Sequence, residues 1–156
     1  MLSELPFNVS PTLLLALPAL RLFALCAVIL VIKMFVVGAY TGVVRGRLKV
    51  ATNSEDAARY GAQLTETEPP EVARVQRAHR NDLENIPAFL VLGLVAVMMG
   101  APALALKVAL VVFTAARVVH SIAYLKSMQP WRSISFGFGA LSMLTVMVLI
   151  LVRVFA

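Results

Sequence analysis

The chain has 156 residues, of which 60% are hydrophobic and only 14% charged. Soluble domains carry about a quarter charged residues, so this composition excludes an ordinary water-facing globule and calls for lipid around the chain. The formal net charge of +6 comes with no aromatic-basic patch that would suit nucleic acid, and the single cysteine, Cys26, excludes an internal disulfide and a cysteine-ligated zinc.

A helix that crosses a bilayer needs about 20 mostly apolar residues, and four segments qualify. The N-terminus carries Glu4, lacks a positive start and shows no small-x-small site, so it does not read as a cleaved leader. Asn8-Val9-Ser10 has the glycosylation pattern, but Pro11 follows and the match reads as chance. Ser10 can cap the first helix and Pro11 suits its first turn. That helix is expected over residues 12–44, interrupted by Arg21 and Lys33. Cys26 lies in its apolar run and reads as an inert buried thiol. A loop over residues 45–70 follows, with Gln63 to Pro70 as an exposed stretch.

The second span is expected over 71–100 and closes on the turn Gly100-Ala101-Pro102. The third covers 103–125 and is broken by Lys107, Arg117 and His120. Gln129-Pro130 marks the next turn, and the fourth covers 131–153 with no charge between Ile134 and Val152. The fold class is therefore an all-α membrane protein, a bundle of four transmembrane helices in a single domain. Basic residues gather in the first and third loops, which an even number of spans puts on one side, and that side is expected to face the cytoplasm.

The second span has a head that a lipid-crossing helix does not need. Arg77 to Ile86 reads R-A-H-R-N-D-L-E-N-I, and seven of those ten side chains are ionisable or amide-bearing. Polar groups at membrane depth are costly and usually line a cavity. Helical spacing puts Arg74, Arg77, Asn81 and Glu84 on one stripe, makes Arg80 and Glu84 an i, i+4 pair, and aligns Arg117, His120 and Tyr124. Arg132 and Ser133 open the fourth helix beside backbone N–H groups expected to be free for an anion. Guanidiniums suit carboxylates or phosphates, and the carboxylate suits an ammonium. A small zwitterion with several carboxyl groups fits, and so does an anionic lipid head group.

Plainer readings stand beside these. Arg45, Arg47, Lys49 and Lys126 read as helix-end cations that snorkel toward lipid phosphate. Arg80–Glu84 reads equally as a structural ion pair, and His120 as a buried hydrogen-bonding residue. Two histidines 41 residues apart with no carboxylate cluster do not match a metal site. Arg117 has no acidic residue in its own helix, so its anion must come from elsewhere, a ligand or a neighbouring subunit.

Five ordered segments carry a resemblance. They are T-G-V-V-R-G-R at 41–47, N-S-E-D-A-A-R at 53–59, the 77–86 segment, R-V-V-H-S-I-A-Y-L at 117–125, and R-S at 132–133. Together the chain resembles the MAPEG family, the membrane-associated proteins of eicosanoid and glutathione metabolism, and within it the prostaglandin E synthase and microsomal glutathione transferase branches. The resemblance implies a homotrimer in the bilayer of an endoplasmic reticulum or a bacterial inner membrane. It also implies glutathione as cofactor, bound between subunits near the cytoplasmic face, and a lipophilic second substrate. Residue by residue it assigns glutathione contacts to Arg45, Arg77, Arg80, Asn81, Glu84, His120 and Tyr124, and places Arg117 along the same pocket. Arg132 and Ser133 match the pair that activates the thiolate, and Asp56 matches a loop carboxylate that assists the chemistry.

Phe136 stands where the prostaglandin synthases have a tyrosine, and Ala57 where some glutathione transferases carry a reactive cysteine. One rival is a non-enzymatic lipid-binding or scaffold protein of the same fold, which the full polar stripe and Arg132 argue against. Another is a small transporter with Arg117 and His120 as a relay, which the lack of Gly/Pro-broken half-helices argues against. Because Ala57 replaces that cysteine, treatment with N-ethylmaleimide is expected to leave turnover unstimulated; stimulation would refute this.

Overall fold

The computed structural model describes residues 19–156, so the Ser10 cap, the Pro11 turn, the 8–10 sequon and residues 12–18 of the first expected span lie outside the described residues. Five helices and two short strands follow in order: α1 (Leu20–Leu48), β1 (Val50–Ala51), α2 (Ser54–Tyr60), β2 (Gln63–Leu64), α3 (Pro70–Met98), α4 (Ala103–Leu125) and α5 (Trp131–Phe155). Four of them, α1, α3, α4 and α5, are long and apolar enough to cross a membrane.

The expected 45–70 loop is corrected in two ways. α1 continues four residues past the expected stop, because the edge of the apolar run does not interrupt backbone hydrogen bonding. It ends instead where Lys49 turns left-handed at φ 52° and returns its N–H to the Arg45 and Gly46 carbonyls. Beyond it, β1 pairs in parallel with β2, matching Val50 to Gln63 and Ala51 to Leu64, so the 63–70 stretch begins in a strand pair. α2 stands between them. Its start is a reciprocal cap: the Asp56 N–H donates to Asn53 Oδ1 at 2.8 Å, and Asn53 Nδ2 donates to Asp56 Oδ2 at 2.9 Å.

In the bundle, α1 packs on α3 and α4, α4 packs broadly on α5, and α3 also reaches α5. The centre holds Cys26, Leu30, Ile86, Phe89, Leu110 and Phe113, all buried. Phe89 and Phe113 stack face to face with centroids 3.6 Å apart and planes within 3°. Outward faces remain apolar: Leu25, Phe35, Leu104, Val111, Leu141 and Leu151 are all more than half exposed or close to it. Helices satisfy their own backbone groups, so such faces belong in lipid, and the chain is a multi-pass membrane protein.

Two glycines let α1 and α3 approach. A Cβ at Gly38 would lie 3.0 Å from the His79 ring, and one at Gly93 would lie 3.1 Å from the Phe23 ring. Gly38→Leu is therefore expected to push α1 off α3 and cost about 1–3 kcal/mol. Thermal unfolding in detergent micelles tests this; a midpoint equal to the parent's would show that the contact is not needed.

Candidate functional site at one end of the bundle

The site is organised by a residue that sequence spacing did not single out. Asp82 on α3 is fully buried, and its Oδ1 accepts from Lys33 Nζ of α1 and from Arg117 Nη2 of α4 at 2.7 Å. Ser121 Oγ donates to Asp82 Oδ2 at 3.4 Å. The anion that Arg117 required is thus inside its own chain, which corrects the expectation of an external partner. The signal was present in two forms. Lys33 and Arg117 both interrupt apolar helices without a local counter-charge. Asp82 also falls in register with Val75, Ala78, Ile86 and Phe89, the residues α3 buries.

Arg117 also donates from Nη2 to Asn81 Oδ1 at 2.6 Å. Asn81, next to Asp82 on the helix, is thereby turned toward α4. Arg117 Nε has no partner, although the side chain is only 1% exposed. One turn on, His120 Nδ1 lies 3.0 Å from the Arg132 carbonyl and 3.5 Å from Ser135 Oγ. A carbonyl only accepts, so Nδ1 carries the proton, and in the neutral ring Nε2 is left as an acceptor. Nε2 is buried and unpartnered too. Two polar atoms of α4 thus remain available for a ligand.

Arg132 stands half-buried at the start of α5, its guanidinium carbon 4.9 Å from the Tyr124 ring centroid. Gln129, another residue the spacing did not mark, bridges the Arg-Ser pair. Oriented to satisfy its neighbours, its amide oxygen accepts from Arg132 Nη2 at 2.7 Å and its nitrogen donates to Ser133 Oγ at 3.2 Å. The backbone N–H groups of Arg132 and Ser133 are not free as expected. They donate to the Met128 and Pro130 carbonyls at 3.1 and 3.0 Å, back across the turn that precedes α5. What this helix start offers is side chains.

The α3 stripe divides along its length. Arg74 donates to Ser127 Oγ and Asn81 meets Arg117, while Arg77, Arg80 and Glu84 are exposed. Arg80 and Glu84 do not form the expected pair: the ion pairs among the described residues are Lys33–Asp82, Arg45–Glu68 and Arg117–Asp82. On an exposed helix face, such a pair is worth too little to fix two long side chains.

Arg45 and Asp56 form a separate group. Arg45 pairs with Glu68, which also accepts from Gln76 Nε2 at 2.9 Å. Asp56 is held by Asn53. Both line a cavity of about 480 Å³ between the end of α1 and α2, with Lys49 and Tyr60. Within one chain, Arg45 and Asp56 make no hydrogen bond to Arg132 or Ser133.

Four apolar helices that enclose buried charged groups define an integral membrane protein. Comparison with known proteins names the class more closely. The MAPEG family model matches residues 23–152, and the chain belongs to that family. It is 42% identical to prostaglandin E synthase of Homo sapiens over 83% of this chain and 86% of that protein. It is 44% identical to that of Macaca fascicularis over 80% and 82%. Microsomal glutathione S-transferase 1 of Rattus norvegicus is 38% identical over 77% and 81%.

Removing the Asp82 carboxylate leaves two cations buried without an anion, a loss of about 3–5 kcal/mol. Asp82→Ala is expected to lower the unfolding free energy in detergent by that amount, and Lys33→Met by less, since Arg117–Asp82 remains. Equal and small losses in both would show that the pairs contribute nothing.

Proposed function

We propose that this chain is a membrane-bound, glutathione-dependent transferase. It would activate the thiol for attack on lipophilic electrophiles or peroxides, giving conjugation, peroxide reduction or isomerisation of the prostaglandin E synthase kind. The observation that carries this reading is the half-buried Arg132 guanidinium, stacked on Tyr124 and adjacent to Ser133. The names of the relatives, prostaglandin E synthase and microsomal glutathione S-transferase 1, support it.

The donor set suits an anionic tripeptide with one ammonium. Arg77 and Arg80 are exposed guanidiniums suited to its carboxylates, and Glu84 is an exposed carboxylate suited to its ammonium. Asn81 and Tyr124 offer an amide and a phenol, while the unpartnered Arg117 Nε and His120 Nε2 supply a donor and an acceptor. Bound there, glutathione would supply a sulfur nucleophile. Arg132 would hold positive charge beside the sulfur, and the Ser133 hydroxyl would donate to it. Each tenfold gain in thiolate needs about 1.4 kcal/mol. A hydrogen bond to a charged group contributes about 1.5–3 kcal/mol, so the two residues suffice for a gain of one or two powers of ten.

The second substrate would enter from the bilayer. A largely apolar groove of about 340 Å³ between α4 and α5, with Val111, Val119, Trp131 and Phe138 in its wall, suits it. The two separate groups of site residues support a homotrimer in which Arg45 and Asp56 of one copy complete the α3–α5 group of the next. The basic ends of the helices would face the cytoplasm.

Titrating the detergent-purified protein with glutathione near neutral pH is expected to give a saturable ultraviolet thiolate band. Arg132→Ala is expected to abolish that band and lower turnover at least tenfold, while glutathione affinity changes less. Equal losses in turnover and affinity would reduce Arg132 to a binding role, and no binding at all would overturn the reading.

A further inference from the structure

A second groove lies at the same end of the bundle, outside the residues assigned to glutathione. It has a volume of about 480 Å³ and opens between the end of α1, the start of α3 and the end of α4. Its charged lining is Arg47, Arg74, Lys126 and Glu71, three cations against one carboxylate. Arg74 is steadied by Ser127 Oγ. The Arg47 guanidinium carbon lies 6.0 Å from the Tyr40 ring. Arg47 and Lys126 are exposed, and neither belongs to an ion pair of the described residues.

Below the cations the wall turns apolar. Val44, Val75, Ile122 and Leu125 line it, and Ile122 is 49% exposed. Arg47 lies in the last turn of α1, Arg74 near the start of α3 and Lys126 at the cap of α4; Val44, Val75 and Ile122 lie further into those helices, while Leu48 and Leu125 close the ends of α1 and α4. A ligand that matches both parts has an anionic head and a hydrocarbon tail. We propose that this groove binds one anionic phospholipid of the host bilayer. Its phosphate lies among Arg47, Arg74 and Lys126, Glu71 accepts from a head-group hydroxyl, and an acyl chain follows the apolar wall. A free phosphate would leave that wall unused.

The groove differs from a diffuse positive field in that it predicts one lipid held by particular side chains. Cations near a head-group plane each contribute about fivefold in affinity. Native mass spectrometry of the full chain in detergent, titrated with phosphatidylglycerol or phosphatidylcholine, reads this directly. The expected result is one retained phosphatidylglycerol per chain, bound more than tenfold more weakly by R47Q/K126Q and equally well by R59Q, which removes an exposed cation elsewhere. The proposal is overturned if R59Q weakens binding as much as the double variant, or if the double variant binds as the parent does. It is also overturned if millimolar inorganic phosphate displaces the lipid, or if R47Q/K126Q changes the number of chains in the assembly, which would make the groove a contact between copies.

Discussion

One buried carboxylate sets the arrangement of the bundle. Lys33 and Arg117 are cations in helices otherwise committed to lipid, and each would be costly there without a counter-ion. Asp82 serves both, so α1, α3 and α4 are tied at a single point, and the rotation of α3 is fixed by that tie. A residue on a helix turns about 100° from the last, so with Asp82 facing inward, Arg80 and Glu84 are carried to nearly the opposite side. Their exposure follows from where Asp82 points. Asn81, one residue back, is brought into reach of Arg117 by the same rotation.

Packing works with that constraint. The close approach of α1 and α3 at Gly38 and Gly93 brings Lys33 within range of Asp82, while the Phe89–Phe113 stack holds α3 against α4 at the next level. The site then divides into a rigid part and an open part. Arg117 and His120 are anchored through one polar atom each and leave another buried and free. Arg77, Arg80 and Glu84 are oriented only by the helix that carries them. The chain thus presents fixed hydrogen-bonding atoms inside the bundle and adaptable charges on the outer face of α3.

Much of this was legible in the chain. The limits of α4 were read to the residue, and those of α3 and α5 within two, because charge and Gly/Pro turns mark where lipid ends. The ends governed by backbone geometry were not. The stop of α1 depends on Lys49 adopting a left-handed conformation, which composition does not announce. The β1–β2 pair is two residues long on each side, too short to show alternation. Asp82 is hidden in the sequence because it sits within a run of polar residues, where spacing alone gives each neighbour equal standing. What separates it from Glu84 is that Asp82 lies on the buried face of α3, from which alone the two stranded cations can be reached.

Gln129 shows the same limit at the other helix junction. A proline turn is easily read from Gln129-Pro130, but spacing gives the Gln129 side chain no role beyond the turn. In the fold the turn residue is also the one that holds Arg132 and Ser133 together, through an amide that accepts from one and donates to the other. Tyr124 supports the guanidinium from the far side, one turn beyond His120, whose own ring is fixed by the Arg132 carbonyl. The pair assigned to the thiol is therefore set by α4 and by the junction, and not by the first turn of α5 alone. The N–H groups of Arg132, Ser133 and Ile134 are already spent on the Met128 and Pro130 carbonyls. The charge that this junction offers an anion is the guanidinium of Arg132, which Gln129 and Tyr124 orient.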